Sequence, residues 1–460
     1  MTEKQEAKRH GRRLVVVVYP FQGHINPMLQ LATILNSNGF SITILHPEFN
    51  SPNHSNYPDF SFVSIPDGLS KTNTVSVSPG DLAATISAIN RNCEAPFQRY
   101  MEQILEAEDP PDRVAGVIFD GFMYFAQRVA NHLKLPGISV RTSAAASLFA
   151  FAVFRHHDGH GYIPFQDSLS QLDQVPELEA LKLKDIIVSA AANPALLELR
   201  AVLTETTKNA SAVIVNTIHF LEQQTLTKVQ ECFQVPIFPI GPFHKLAPSS
   251  SSSLLEEDTN CISWLDKQAP ESVIYVSFGS MTSMDENELL EIASGLANSE
   301  QPFLWVVRPG SVRGPEWADE LLPKSFWERV EEGRGCIVKW APQKEVLAHG
   351  AVGGFWSHCG WNSTLESVCE GVPMLCRPFF GDQLLSSRYV CRVWKIGLEM
   401  EGVLERGKIE KGIRRLMVDS EGVEIRQRAK GLKEKADFCL SEDGSSYNAL
   451  NELVQHILSS

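Results

Sequence analysis

Apolar runs and helical periodicities alternate along this chain. Leu14–Tyr19 (LVVVVY) is a continuous β-branched run, the pattern of a strand buried on both faces of a parallel sheet. A polar, glycine-containing loop, PFQGHINP, comes next. A helical pattern over Met28–Asn36 stops at Gly39, and a second apolar run occupies Ile42–Leu45. This is a β-loop-α-β unit. Val114–Phe119 and Ile138–Val140 predict further strands around a helix at Phe122–Leu133, and Val213–Val215 and Ile237–Ile240 predict two more. At 242–258 the periodicity stops in PFHKLAPSSSSSLLEED, a Pro- and Ser-rich linker or surface loop. It then restarts: strands at Val273–Ser277, Phe303–Val307, Gly353–Trp356 and Met374–Cys376, a helix at Glu286–Asn298, and helical patterns to the end.

Strands alternating with helices in both halves predict two doubly wound α/β domains, and 460 residues suit two cores rather than one. No short internal repeat is visible, although the halves share a rhythm. The composition is that of a globular protein, 43% hydrophobic and 21% charged. A net charge of −14 argues against nucleic acid or an anionic membrane as partner. It also means that a phosphate would have to be held by local backbone dipoles. No stretch reaches the roughly 18 apolar residues of a membrane span. The opening MTEKQEAKRHGRR is polar and reads as a disordered arm, not a secretory signal. Nine scattered cysteines without zinc-like spacing fit reduced thiols in the cytosol.

Ligands of doubly wound sheets bind at the carboxyl ends of the strands, so the loops after strands carry the candidate chemistry. The densest segment is Trp340–Gln383. Within it, GGFWSHCGWNSTLESVCEG reads as strand, turn and helix, the helix beginning near Asn362–Ser363 with His358 in the turn before it. A helix N-terminus there is an anion site, with Asn362 and Ser363 adding side-chain donors. Ser363 and Glu366 also have capping-box spacing, so Glu366 either caps the helix or accepts from ribose hydroxyls. Trp340 is either core or a stacking surface for a base. Asp382–Gln383, in a loop after a strand, suit sugar hydroxyls. In the first half, His24 follows the first strand in the loop at the sheet's carboxyl edge, and Asp120 ends VAGVIFD at the same edge. Either they are a general base and its orienting carboxylate, or they cap a turn and a helix.

Taken together, WAPQ, HxxxGxFxxHCGWNSxLE, GVPM and P-x-F-x-DQ resemble the signature of the plant UDP-dependent family 1 glycosyltransferases, the secondary-product glucosyltransferases. FQGHINPMLQLATIL, SNYPDF, IVNT and VIYVSFGS extend the likeness over essentially the whole chain, most closely to the clade with diterpenoid, flavonol and cytokinin glucosyltransferases. The resemblance implies the GT-B architecture: two facing Rossmann-like domains with the active site in the cleft between them. It implies an acceptor-binding domain at 1–241, the linker at 242–258, a UDP-sugar domain at 259–440 and a terminal helix at 441–460 packing back on the first domain.

By the same resemblance, Trp340 stacks on uracil, Ala341 pairs with its edge through the backbone, and Gln343 and Glu366 bind ribose. His358, Asn362, Ser363 and Ser280 hold the phosphates. Trp361, Asp382 and Gln383 line the sugar, a final Gln favouring glucose, and Thr142 touches its 6-hydroxyl. His24 matches the family's base and Asp120 its partner. The expected activity is that of an inverting hexosyltransferase. It moves glucose from UDP-glucose to a hydroxyl of a small lipophilic flavonoid, phenol or terpenoid, aglycone or glycoside, to give a β-glucoside. With no Asp-x-Asp pair in the chain, neither metal nor cofactor is expected.

The acceptor pocket is expected mainly from the first domain. Tyr19, Phe21, Phe122, Phe149 and Phe379 are its candidates, Phe149 alongside Phe151 and Phe154 in a pattern that also reads as helix core. HHDGH (His156, His157, His160) reads as a surface loop near the acceptor mouth. A dehydrogenase would carry GxGxxG after its first strand and a serine hydrolase G-x-S-x-G, and neither motif is present. An epimerase or hydrolase of the same fold would need no acceptor pocket, and a non-catalytic nucleotide-sugar binder would lack the base. The remaining expectations are a cytoplasmic monomer without nucleic-acid or membrane partners.

Overall fold

A computed structural model describes residues 11–69, 79–107, 113–153, 156–157, 161–162, 194–247, 253–313 and 321–460. The chain divides into two compact units, Met1–Leu254 with Cys439–Ser460, and Leu255–Phe438.

In the first unit the strands are β1 (Arg12–Val17), β2 (Ser41–Pro47), β3 (Ser61–Ile65), β4 (Arg113–Asp120), β5 (Gly137–Arg141), β8 (Ala212–Val215) and β9 (Ile237–Pro239). A separate two-residue ribbon pairs β6 (His156–His157) with β7 (Gly161–Tyr162). The helices of this unit are α1 (Gln22–Ser37), α2 (Pro79–Glu106), α3 (Phe125–His132), α4 (Ala145–Val153), α5 (Pro194–Asn209), α6 (Gln223–Phe233) and the single turn α7 (Phe243–Leu246). The large sheet is parallel in the order β3-β2-β1-β4-β5-β8-β9. Leu14, Val16 and Val18 lie in its core because the run is apolar at every position and both faces are covered. On one face α1 packs through Ile25, Met28, Leu29, Ala32 and Leu35, the one-sided spacing of an amphipathic helix.

The second unit holds β10 (Val273–Ser277), β11 (Phe303–Val306), β12 (Gly335–Val338), β13 (Val352–Ser357), β14 (Met374–Cys376) and β15 (Gly397–Glu399). Its helices are α8 (Asn260–Leu265), α9 (Glu286–Ser299), α10 (Lys324–Glu331), α11 (Gln343–Ala348), α12 (Trp361–Glu370), α13 (Asp382–Arg388), α14 (Arg406–Met417) and α15 (Ser420–Leu440). The sheet order is β12-β11-β10-β13-β14-β15, again parallel. Ile274, Val276, Trp305, Trp356 and Leu375 supply one face of its core. The alternate residues Tyr275 and Phe355 stack on the opposite face, ring centroids 4.9 Å apart.

After α15 the chain returns to the first unit as α16 (Ser445–Ser459). Leu450, Leu453, Val454 and Ile457 enter the first unit's core, each worth about 1.5–3 kcal/mol in apolar transfer before ordering costs. Ser446 Oγ donates to the Gly241 carbonyl at 2.6 Å.

Several boundaries differ from expectation. The segment 242–258 includes the helical turn α7, and the helix expected from Phe122 begins at Phe125. The short strands β3, β12 and β15 carry no long apolar run and escape a periodicity search. Among the described residues no helix is long and apolar enough to cross a membrane. The expected N-terminal arm falls largely outside the described residues, as do Phe154, His160 and the side chains of His156 and His157.

Candidate active site

In each unit the sheet order reverses between its first and fourth strands, β1/β4 and β10/β13, and loops from both strands open there. At the first switch point His24 is not in a loop. It is the third residue of α1, whose N-cap is Phe21. Gly23 in the first turn and Pro27 inside the helix disguise this helix start, since both residue types argue against a helix in a sequence.

His24 Nδ1 lies 2.7 Å from Asp120 Oδ2, at the last residue of β4. The Asp120 side chain is 2% exposed and that of His24 24%. Asp120 Oδ1 accepts the Phe122 N–H at 2.9 Å, so one oxygen caps the turn while the other meets the imidazole. The expected cap on the next helix does not form, since α3 begins at Phe125 with no side-chain cap, and Asp120 closes the turn before it. A carboxylate only accepts, which puts the ring proton on Nδ1 and the lone pair on Nε2. Thr142 Oγ1 stands 3.1 Å from the same Nδ1. Tyr19 meets the imidazole edge-on and Phe122 tilts over it, each with ring centroids 5.0 Å away.

Phe21 stacks on Tyr19 at 4.9 Å, so three of the aromatic candidates gather around the histidine. Burial, and secondarily the Asp120 charge, push the Tyr19 phenol well above its ordinary pKa. Phe149 is buried on α4. Sequence reasoning missed Glu222, a fully buried carboxylate that accepts from the Ala145 and Ala146 N–H groups at 3.0 Å each and from Thr217 Oγ1 at 2.6 Å. It anchors the start of α4, three residues beyond Thr142. Its signal was only an acidic residue after an apolar segment.

At the second switch point the turn after β13 carries His358. Cys359 adopts a left-handed φ of 64° and Gly360 is the N-cap of α12, with no side-chain cap. The capping-box reading of Ser363 and Glu366 is thereby overturned: both lie inside the helix, one turn apart on one face. They meet Gln343 at the first position of α11, whose Nε2 donates to Ser363 Oγ at 2.8 Å and Glu366 Oε2 at 2.7 Å. A capping box does form elsewhere, between Asp285 and Glu288 at the start of α9. Burial raises the Glu366 carboxyl, against the opposing pull of the Gln343 hydrogen bond and the Lys344 charge.

The His358 ring fits a slot shaped by two glycines. A Cβ on Gly279, which has φ of +75° and precedes Ser280 in the turn after β10, or on Gly360 would come within 2.5 Å of Nε2. Loss of water pushes the imidazole down to about 4, opposed by a hydrogen bond to the Ser277 backbone. His358 is therefore neutral at pH 7 with its N–H given to the Ser277 backbone, and the turn offers an anion backbone N–H groups rather than a full charge.

Asp382 and Gln383 open helix α13 instead of lying in a loop. Gln383 Oε1 accepts the Phe379 and Phe380 N–H groups at 2.9 and 3.2 Å, which leaves its Nε2 to donate elsewhere. The Phe379 ring lies in the second unit, 5.8 Å from Phe278 and beneath the Arg377 guanidinium. Trp361 is 2% exposed, with its ring 6.3 Å from Trp394. Trp340 is half-buried, its carbonyl accepting from the Asp258 N–H at 2.9 Å, beside the buried Ala341. Asn362 occupies the first turn of α12.

Two such sheets, each opening a loop cluster at its switch point, are those of the GT-B sugar-nucleotide transferases. Os79 from O. sativa in complex with UDP superposes with a TM-score of 0.82 at 26% identity, over 96% of this chain and 100% of that one. Phytolacca americana UGT2 complexed with UDP-2fluoro-glucose and pterostilbene does so at 0.79 and 27%, over 97% and 100%. Residues 69–421 match the family described as UDP-glucoronosyl and UDP-glucosyl transferase. UDP-glycosyltransferase 76B1 of Arabidopsis thaliana is 48% identical over 97% of this chain and 98% of its own. Flavonol 3-O-glucosyltransferase UGT76E12 of the same plant is 45% identical over 98% of each. The chain belongs to the plant family 1 UDP-glycosyltransferases.

Proposed function

We propose that this UDP-glycosyltransferase uses UDP-glucose to glucosylate a hydroxyl of a small lipophilic plant metabolite, a flavonoid, other phenol or terpenoid, bare or already glycosylated, in a cytosolic, metal-independent reaction. The observation that carries the reading is the 2.7 Å His24–Asp120 contact with Nε2 left as the basic nitrogen. In this reading Nε2 takes the acceptor's proton as its oxygen attacks the anomeric carbon, and Asp120 stabilises the imidazolium that forms. The leaving UDP is held at the start of α12 by backbone N–H groups with His358, Asn362, Ser363 and Ser280. Trp340 and Ala341 hold the uracil and Gln343 and Glu366 the ribose. Trp361, Asp382, Gln383 and Thr142 surround the glucose. Direct displacement passes through an oxocarbenium-like state and inverts the α-linked donor to a β-glucoside. The aromatic cluster of Tyr19, Phe21 and Phe122 is apolar wall suited to such acceptors, in keeping with a relative named as a flavonol 3-O-glucosyltransferase.

The test is a product assay with purified protein, EDTA, UDP-glucose and a panel of flavonoids, terpenoids and simple phenols. A β-linked hexose on any panel member supports glucosyl transfer, its inversion and its independence of metal. UDP release without glycoside, or an absolute need for added metal, overturns it.

A further inference from the structure

Tyr275 is a polar-tipped residue in a strand otherwise apolar up to its last residue, Ser277; it is 1% exposed, and its ring would pack on Phe355 equally well as phenylalanine. Burial drives its phenol far above the ordinary pKa, so the group is a neutral donor at any working pH. Its hydroxyl donates to Gln343 Oε1 at 3.3 Å. Gln343 spends its other end on Ser363 and Glu366. A carboxamide has one accepting and one donating end, so a donor on its oxygen dictates that the nitrogen faces the two acceptors. Glu366 Oε2 is then engaged, and Oε1 is the oxygen left for a ligand. Four residues from β10, α11 and α12 thus form one directed chain: Tyr275 to Gln343, and Gln343 to Ser363 and Glu366.

We propose that Tyr275 is a positioning residue for nucleoside recognition: its buried hydroxyl fixes the Gln343 carboxamide, and through it the Glu366 carboxylate, against the ribose hydroxyls of the donor. The inference rests on the reading that Gln343 and Glu366 bind ribose. Tyr275 itself touches no ligand and acts only through Gln343. Without the phenol, Gln343 can rotate when a ribose competes for Glu366, and the site loses its preset acceptor.

The experiment is a double-mutant cycle read by titration calorimetry with UDP and 2′-deoxy-UDP on the full chain. Y275F keeps the ring and its stacking and removes the hydroxyl, which donates to Gln343 and also meets the Ser277 side chain. Y275F should weaken UDP about fivefold, the weight of one lost neutral hydrogen bond, and 2′-deoxy-UDP less. In a Q343A background the same change should shift UDP affinity by less than about 1.5-fold, because the path is already cut. Turnover at saturating UDP-glucose should be unchanged, which separates donor positioning from a general loss of structure. Equal losses in both backgrounds, or no loss in the first, overturn the inference while leaving the ribose reading in place. If Q343A and E366A each bind UDP as the wild type does, the ribose reading itself fails and the inference with it.

Discussion

Each unit places a histidine at the switch point of its sheet, after the first strand in one and after the fourth in the other, and gives it different surroundings. Both sheets reverse order beside their first strand. Both also show a register irregularity at the pairing across that point, between Arg13 and Leu14 in β1 and between Val273 and Ile274 in β10. His24 meets a buried carboxylate at 2.7 Å and stays partly open to solvent. His358 sits in a glycine-shaped slot at a helix N-terminus, and loss of water drives it down to about 4. In the first arrangement the Asp120 carboxylate accepts from Nδ1 and leaves Nε2 open as an acceptor. The second disfavours a proton arriving on the ring and leaves it neutral beside a positive dipole end, where backbone N–H groups can meet an anion in a protein of net charge −14. Fold supplies the address; the neighbours within about 5 Å decide the chemistry.

Breaking the first arrangement should have the largest effect. His24→Ala should lower kcat about 10³–10⁴-fold with alcohol acceptors while UDP affinity, measured by calorimetry, stays within about twofold. Normal turnover of a weakly acidic hydroxyl by this variant would remove the histidine from the reaction. Asp120→Asn keeps the shape but loses the carboxylate that holds the Nδ1 proton, so kcat should fall about 10²-fold or more. The loss should shrink for acidic phenols, which need less help from a base. A loss equal for phenols and alcohols would mean that Asp120 matters only through its cap on Phe122.

Much of this was legible in the chain, and the misses have physical causes. Val273–Ser277 and Met374–Cys376 have the boundaries expected, because buried strands must be apolar at consecutive positions. β3 and β15 were missed because short strands toward a sheet edge carry no such demand. Gly23 and Pro27 mask the start of α1, so the sequence alone places His24 in a loop, at the edge of the sheet where the helix in fact begins. The Ser363–Glu366 pair shows the limit of spacing. Three residues apart on a helix fits a cap or a shared face equally, and only the position of Gly360 decides between them. The link from Tyr275 to Gln343 spans 68 positions in sequence and has no local signature at all.

Within the second unit, Glu366→Ala should weaken UDP about tenfold. With no cap to lose, it should leave Tm within about 2 °C. A collapse in stability with unchanged binding per folded molecule would restore a structural role to this carboxylate.

The smallest effect concerns the two histidines directly. An unfolded chain protonates His358 near 6.5, whereas the folded site resists until about 4. Between those values the unfolded state binds more protons, so stability at this site is full above about pH 6.5 and is lost as pH falls toward 4. Discounting for the ring's partial exposure, the loss between pH 7.5 and 5 is on the order of 1 kcal/mol. His358→Gln, which keeps a donor but cannot titrate, should flatten that part of the urea-unfolding profile relative to the wild type. If wild type and variant lose stability in parallel, His358 is already solvated or partnered in solution. The contrast between the two histidines would then rest on their geometry alone.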